Sequence, residues 1–577
     1  MLAFCLPAFG QTGNRPVEKA RDRQEEAFAS AKPAEGPDAA PPETEAPMSS
    51  DDYTPFGVDL GAIVLLSHQD QAEPVDPAVP GKKLTIDPEI EMPAGLEEKL
   101  GEFLGKPVSA GLLSDLAKEI ILAWRESDYP LVDVYFPEQN ITEGKIQIVT
   151  RESVLGEIRV ENARHSRVTY LRNQIGLQPG DRINQRTVRA GLDWIIENPI
   201  RTVNLIYDKG TVDGTSDITL QVQEKRPFSV YSGFAYTGVN FTGQNEFSAG
   251  FQLMNPLKTE QTISYNYNAD IDFDHLEAHT VFYETFLPWR HKLRLIGAYV
   301  SSEVASDDLV LPLDLMGENI QGTGEYEIPL PRCRSGLLEE MRHSVQFGLD
   351  YKSTNTNLIF GGLDIFDSNA VVFQYRIGYE ATLPDKIGYT RVSLSSVWAP
   401  GSVLQDNDDA AFEALREGST ADYWYGIAEL ERGFRLPADF SLVLRSTGQT
   451  TGARLISTEQ VLAGGYRTVR GFDENQARGD SGAILNVELI SPQFSVLPAI
   501  DDQWNLLGFY DGAFLQVSDA MGGVPNPALQ SAGIGVQLRI RENVFARGAY
   551  GWVIDTHGLE EVDINDGKMH FGVTVRY

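Results

Sequence analysis

Cysteine is scarce in this sequence, long apolar runs are missing and positive charge is in deficit, and each absence removes a class of protein. Two cysteines, Cys5 and Cys333, in 577 residues cannot build a disulfide scaffold or a cysteine-based zinc centre. No stretch of about 18 consecutive apolar residues occurs, which excludes a membrane-spanning helix. The 48 Lys and Arg against 82 Asp and Glu leave a net charge of −34. A general nucleic-acid binder is thereby excluded, because no cationic excess is available to displace phosphate counterions. The Gly81-Lys82 and Gly105-Lys106 pairs lack the glycine spacing and the Ser or Thr of a phosphate-binding loop. No Ser/His/Asp arrangement is recognisable from spacing either. The expectation is a protein that is not an enzyme and carries no cofactor or metal.

What is present divides the chain into unlike parts. Residues 1–11, MLAFCLPAFGQ, read as the remnant of a secretory signal peptide, which predicts export. Removing it would leave Cys333 alone, as suits an oxidising compartment. Residues 12–57 form a linker rich in Ala, Pro, Glu and Asp. Within it, residues 16–31 (PVEKARDRQEEAFASA) could form an almost wholly charged helix. A helix without an apolar face is either disordered or lodged in a polar cavity.

Residues 58–152 and 153–226 read as two small α+β modules. In the first, Leu112, Leu116, Ile120, Ala123 and Trp124 fall at helical spacing. Val132, Val134 and Phe136 then alternate as a strand, and Ile146, Ile148 and Thr150 as another. The second repeats the scheme. A strand at Ile158 and Val160 leads to a helix ending at Gly176, and a helix through Val188, Leu192, Ile195 and Ile196 is closed by Pro199. Strands at Val203, Leu205, Tyr207 and at Ile218, Leu220, Val222 complete it.

From 227 onward helical periodicity largely disappears. Ile263, Tyr265 and Tyr267 alternate with Ser264, Asn266 and Asn268; Phe373, Tyr375, Ile377 and Tyr379 alternate with Gln374, Arg376, Gly378 and Glu380. Ile534 to Ile540 and Phe571 to Tyr577 follow the same rule. In a sandwich the apolar face would turn inward; in a transmembrane barrel it meets lipid while the polar face lines a wet lumen. The 351 residues from 227 to 577 are too many for one sandwich, and the apolar face is rich in interfacial aromatics. At about 20–22 residues per strand with its connection, they make roughly 16 antiparallel strands. Closure leaves no unpaired edge, which lipid would not tolerate.

Two motifs stand out in this half. His275-Leu-Glu-Ala-His279 has its Glu misplaced for a metalloprotease helix. As a strand it puts His275, Glu277 and His279 on one polar face, expected to be the lumen wall. Residues 464–472, GGYRTVRGF, combine backbone freedom with two arginines, as in a loop tip able to fold back into a pore.

Val469, Arg470, Gly471 and Phe472 resemble the loop motif of the Omp85 superfamily. That resemblance implies a loop, at about 460–480, that returns into the barrel and pairs its Arg with an acid on the inner wall. Phe509-Tyr510-Asp511-Gly512-Ala513 matches the partner motif except at its last position, where Ala513 stands for Gly. Phe509 and Asp511 then form the barrel-wall partner.

Residues 105–151 resemble the first POTRA module of two-partner-secretion transporters, with Pro137-Glu138-Gln139-Asn140-Ile141 at the place of that family's Pro-x-Gln strand. The resemblance runs from about 60 to 577. It is to the haemolysin and haemagglutinin secretion-activation (ShlB/FhaC/HecB-like) transporters. It implies an outer-membrane pore with periplasmic modules, inserted by the outer-membrane assembly machinery, that recognises an unfolded exoprotein and passes it to the cell surface. Cargo-binding residues are unknown, with Pro137 and Gln139 as candidates, and 16–31 as a pore-plugging helix. An Omp85-type assembly factor is the alternative, disfavoured because that branch carries more modules. A passive porin is disfavoured by having modules at all, and a secreted all-β enzyme or adhesin by the inverted face.

Overall fold

The computed structural model describes residues 50–71, 84–239, 243–303, 313–333, 336–338, 340–360, 363–518, 526–559 and 562–577. Cys5, the leader 1–11 and the charged segment 16–31 lie outside these residues. The described chain forms two compact units that divide between Lys225 and Arg226, and each is taken by itself.

The first unit begins with β1 (Ala62–Leu66), β2 (Leu84–Ile86), α1 (Leu96–Gly101), α2 (Ala110–Glu126), β3 (Val132–Tyr135) and β4 (Lys145–Glu152). Their sheet order is β2-β1-β4-β3, with β1 parallel to both neighbours and β3 antiparallel to β4. The Ser109 hydroxyl accepts the Leu112 amide at 3.1 Å and starts α2. The stripe Leu112, Leu116, Ile120, Ala123 and Trp124 then packs against Val132, Val134, Ile146 and Ile148. Phe136, expected in β3, lies just beyond its end. The strand β1 has no alternation to betray it in AIVLL. It is an interior, parallel strand, and such strands read as continuous apolar runs.

The unit continues with β5 (Val154–Glu161), α3 (Val168–Gln174), α4 (Gln185–Glu197), β6 (Arg201–Lys209) and β7 (Thr215–Glu224), in sheet order β5-β7-β6. Asn184 caps α4 by accepting the Thr187 amide at 3.1 Å. Gly191 lets α4 approach α3, since a Cβ there would stand 2.7 Å from the Ile175 Cα. The two sheets are tied through Arg182, which pairs with Glu152 and lies 4.4 Å from the Tyr129 ring centroid.

The second unit is a closed barrel of sixteen antiparallel strands, from Phe228–Val239 to Gly567–Arg576, each bonded to its neighbour in sequence. The last strand closes on the first through the register Phe571 to Arg576 against Tyr236 to Tyr231. Alternation is inverted as the sequence predicts. In Gln261–Asp270, Ser264, Asn266 and Asn268 are buried while Ile263, Tyr265 and Tyr267 are not. In Leu363–Asp385, Gln374 is buried and Ile377 is 58 % exposed. Tyr375, Trp398 and Trp424 sit side by side in register on the outside, as an interfacial aromatic belt requires.

One expectation fails. Glu277 and His279 face outward rather than into the lumen, because Tyr267 pairs with His279 while the inward Asn266 pairs with the fully buried Thr280. The His279 ring is held by the Tyr265 hydroxyl at 2.7 Å and lies beside Tyr267 and Tyr299. His279 Nε2 also lies 3.0 Å from Glu277 on this face, so strand register, and not the polarity of the side chains, sets where they point. His275 precedes the strand Leu276–Phe286 and lies 3.6 Å from Asp270.

Candidate functional site

Between the strands Ser441–Thr451 and Ser481–Ile490 the chain does not turn at the rim. It forms a small hairpin, Val461–Ala463 against Ala477–Gly479, whose tip carries the motif. Val469 and Phe472 are fully buried in an apolar cluster with Val461, Ala463, Ala477, Ile484, Ala513, Leu515, Leu529 and Val553. The Ala513 methyl therefore fills space against the loop, which is what the departure from glycine does locally. Gly471 has φ 94°, and a Cβ on it would stand 2.9 Å from the Gly551 carbonyl oxygen. Glycine is required there by both conformation and clearance.

Arg470 is 4 % exposed and its partner Asp511 is fully buried. The guanidinium donates from Nε to Asp511 Oδ2 at 2.7 Å and from Nη2 to Oδ1 at 2.8 Å. This is the planar, two-bond match that only arginine makes with a carboxylate. The Arg470 backbone amide adds a third bond to Oδ2 at 3.1 Å. The guanidinium carbon also lies 3.6 Å from the Phe509 ring centroid, a cation–π seat. The residues singled out by the motif, Val469 to Phe472 with Phe509 and Asp511, thus meet at one place on the inner wall.

Three partners escape the motif. Glu488 accepts from Arg470 Nη1 at 2.6 Å, and Asn486 joins Asp511 Oδ1 at 2.8 Å to the Thr468 carbonyl at 2.6 Å. His570, fully buried on the last strand, accepts the Gly471 amide at 3.3 Å. The available signal is the alternation Leu485, Val487, Leu489 against Asn486 and Glu488, which assigns the latter two to the lumen face.

Through Glu488 the loop joins a row of ion pairs on the lumen wall. Arg445 bridges Glu488 and Glu431 at 2.8 and 2.9 Å, and Arg391 also reaches Glu431. A second row joins Glu284, Arg294, Glu325 and Glu327, with Arg376 between Glu325 and Asp350. Neighbouring opposite charges on adjacent strands thus pair along this part of the inner wall.

Pro137 and Gln139 are brought to no such site. Pro137 is buried. The Gln139 amide is spent on β4, donating to the Gln147 carbonyl at 2.7 Å and accepting the Gln147 amide at 2.6 Å. It acts as a one-residue strand extension, so its polar atoms are engaged within the module. Among the described residues, no group of three His, Cys, Asp or Glu side chains is arranged to hold a metal ion.

Comparison with known proteins agrees with this architecture. The family described as haemolysin secretion/activation protein ShlB/FhaC/HecB matches residues 214–536, and the POTRA domain of ShlB type matches 92–153. The outer membrane transporter CdiB-2 of Burkholderia pseudomallei is 22 % identical over 408 residues, covering 68 % of this chain and 66 % of that protein. The heme/hemopexin transporter protein HuxB of Haemophilus influenzae is 27 % identical over 482 residues, covering 76 % and 77 %. The solved structure of CdiB from Escherichia coli superposes with a TM-score of 0.71 at 16 % identity, over 96 % of each chain.

Proposed function

The chain belongs to the haemolysin secretion/activation (ShlB/FhaC/HecB) family, and we propose that it exports an unfolded exoprotein rather than acting as an enzyme. It is an Omp85-superfamily outer-membrane transporter related to two-partner-secretion proteins, with its small N-terminal modules in the periplasm. In this reading the modules receive the exoprotein, the lumen conducts it and folding outside makes the passage irreversible. The module sheets have edge strands, β2 and β3 in one and β5 and β6 in the other. Such edges accept an extended segment through main-chain hydrogen bonds.

The observation that carries the reading is the loop held inside a polar-walled barrel by Arg470, Asp511 and Glu488. Removing one partner of a buried ion pair costs about 3–5 kcal/mol, the upper end applying where water is excluded. Arg470→Ala is therefore expected to leave the barrel inserted while export of the exoprotein falls at least tenfold, read as surface-exposed against periplasmic exoprotein. Export at the unaltered rate would remove the loop from the mechanism. Exchanging Arg470 and Asp511 should restore little, because Glu488 would then face an aspartate. Loss of the whole protein should strand one exoprotein in the periplasm; a general loss of outer-membrane barrels would instead favour an assembly factor.

A further inference from the structure

The lumen loop is anchored a second time, at its stem, and the second anchor also holds a neighbouring segment. The chain between the strands Gly388–Pro400 and Asp422–Arg435 contains a short helix, Asp409–Leu415. Asp408 caps it by accepting the Ala411 amide at 3.0 Å. Phe412 is 1 % exposed and packs on Ala370, Val372, Val397, Ala399, Tyr423 and Tyr425. Those six residues are on the inner wall, since their strand neighbours Tyr375, Trp398 and Trp424 are the exposed ones. The helix therefore sits inside the mouth of the barrel. This connection follows the ninth barrel strand, so it lies at the end opposite to where the chain enters at Phe228.

The turn after the helix presents Arg416 to Asp480, the residue that ends the lumen loop. Arg416 Nη2 donates to Asp480 Oδ2 at 2.9 Å, and Asp480 is fully buried. The same carboxylate accepts the backbone amides of Leu455 at 2.9 Å and Ser518 at 2.7 Å, and the Gln460 amide at 3.2 Å. Three outer connections thus converge on one carboxylate. A few residues away the fully buried Glu459 accepts from Lys352 Nζ at 2.8 Å and from the Tyr425 hydroxyl at 3.0 Å. It fastens the same stem to two further strands, Arg342–Phe360 and Asp422–Arg435.

We infer that Arg416 and Asp480 form a latch that holds residues 408–421 as a lid in the outer mouth of the lumen. A helix lodged against the inner wall narrows the passage an extended chain would need. Asp406 and Asn407 pin one end of the segment to the Val371 backbone at 2.8 and 2.7 Å. Beyond them the helix is held by Arg416, on Asp480 and the Leu455 carbonyl, and by the apolar seat of Phe412, contacts that can release together about that fixed end. The significance for export rests on the secretion reading above; the lid itself does not.

The test uses the full-length protein in planar lipid bilayers and in cells. Arg416→Ala should raise the time-averaged ion conductance several-fold, and Arg416→Lys, which keeps one charged bond to Asp480, should stay near the unaltered level. Retained resistance of the barrel to dissociation in cold detergent shows that each variant is folded. In a Cys333→Ser background, Arg416→Cys with Asp480→Cys should export exoprotein until a short bismaleimide bridges the two thiols, and export should then stop. Unchanged conductance of Arg416→Ala, or undiminished export by the bridged protein, would overturn the lid. Raised conductance in a protein that exports no exoprotein would keep the lid and retire the secretion reading.

Discussion

The two units of this chain use the same alternating strand chemistry with opposite outcomes. In the N-terminal unit the fully buried positions include Leu60, Ile63, Leu116, Ile146 and Ile148. In the barrel fully buried positions include Asn266, Thr280, Asp511 and His570, while Ile377 and Ile534 are more than half exposed. A residue's burial therefore reports opposite things about its solvent in the two halves. In the modules, buried means away from water; in the barrel, exposed means against lipid. The comparison also explains where the charges lie. The modules leave charges such as Asp213 and Glu126 in water, 76 % and 69 % exposed, and bury few, such as Asp217, which pairs with Arg159. The barrel gathers them in the lumen, where each needs a partner.

The sharpest way to break the comparison is a carboxylate at a position that only the modules would reject. Leu116→Asp puts an unpaired charge in a fully buried apolar seat and should cost more than about 4 kcal/mol. Limited proteolysis should then cut residues 50–225 while the barrel stays intact; resistance in both units would contradict the assigned core. Next comes the reverse insult. Ile377→Arg places a cation against lipid and should cost about 2–4 kcal/mol at mid-depth, read by urea unfolding from vesicles. The adjacent Arg376 is tolerated because it faces inward, 3.5 Å from Asp350. A neutral Ile377→Arg would mean that this face does not meet hydrocarbon. The smallest effect is expected at the loop. In Glu488→Gln the two-bond Asp511 contact survives, so the loss should be no more than about 1.5 kcal/mol. Export should fall by a few-fold, well short of Arg470→Ala.

Much of this was legible in one dimension, for local reasons. The period of the apolar residues locates α2, α4 and the strands around Val132, Val203 and Ile218. It also exposes the inverted face of the barrel, because each strand repeats the pattern independently. The Arg470–Asp511 pair was legible only through resemblance, since 41 residues separate its members. Glu488, Asn486 and His570 were not, because nothing local distinguishes them from other lumen-facing polar residues. The outward turn of His279 is not legible locally, because a polar side chain on such a strand ordinarily marks the wet side. Its place was settled by register with Tyr267 and by the Tyr265 hydroxyl.

By itself the sequence determined the medium of each half and the class of architecture, because alternation, length and charge act residue by residue. The tertiary structure decided which side chains meet. Arg470 with Glu488, and Arg416 with Asp480, come together only when sixteen strands close and two connections fold inward. An ion pair depends on separations of a few ångströms between groups far apart along the chain, and composition carries no record of that distance.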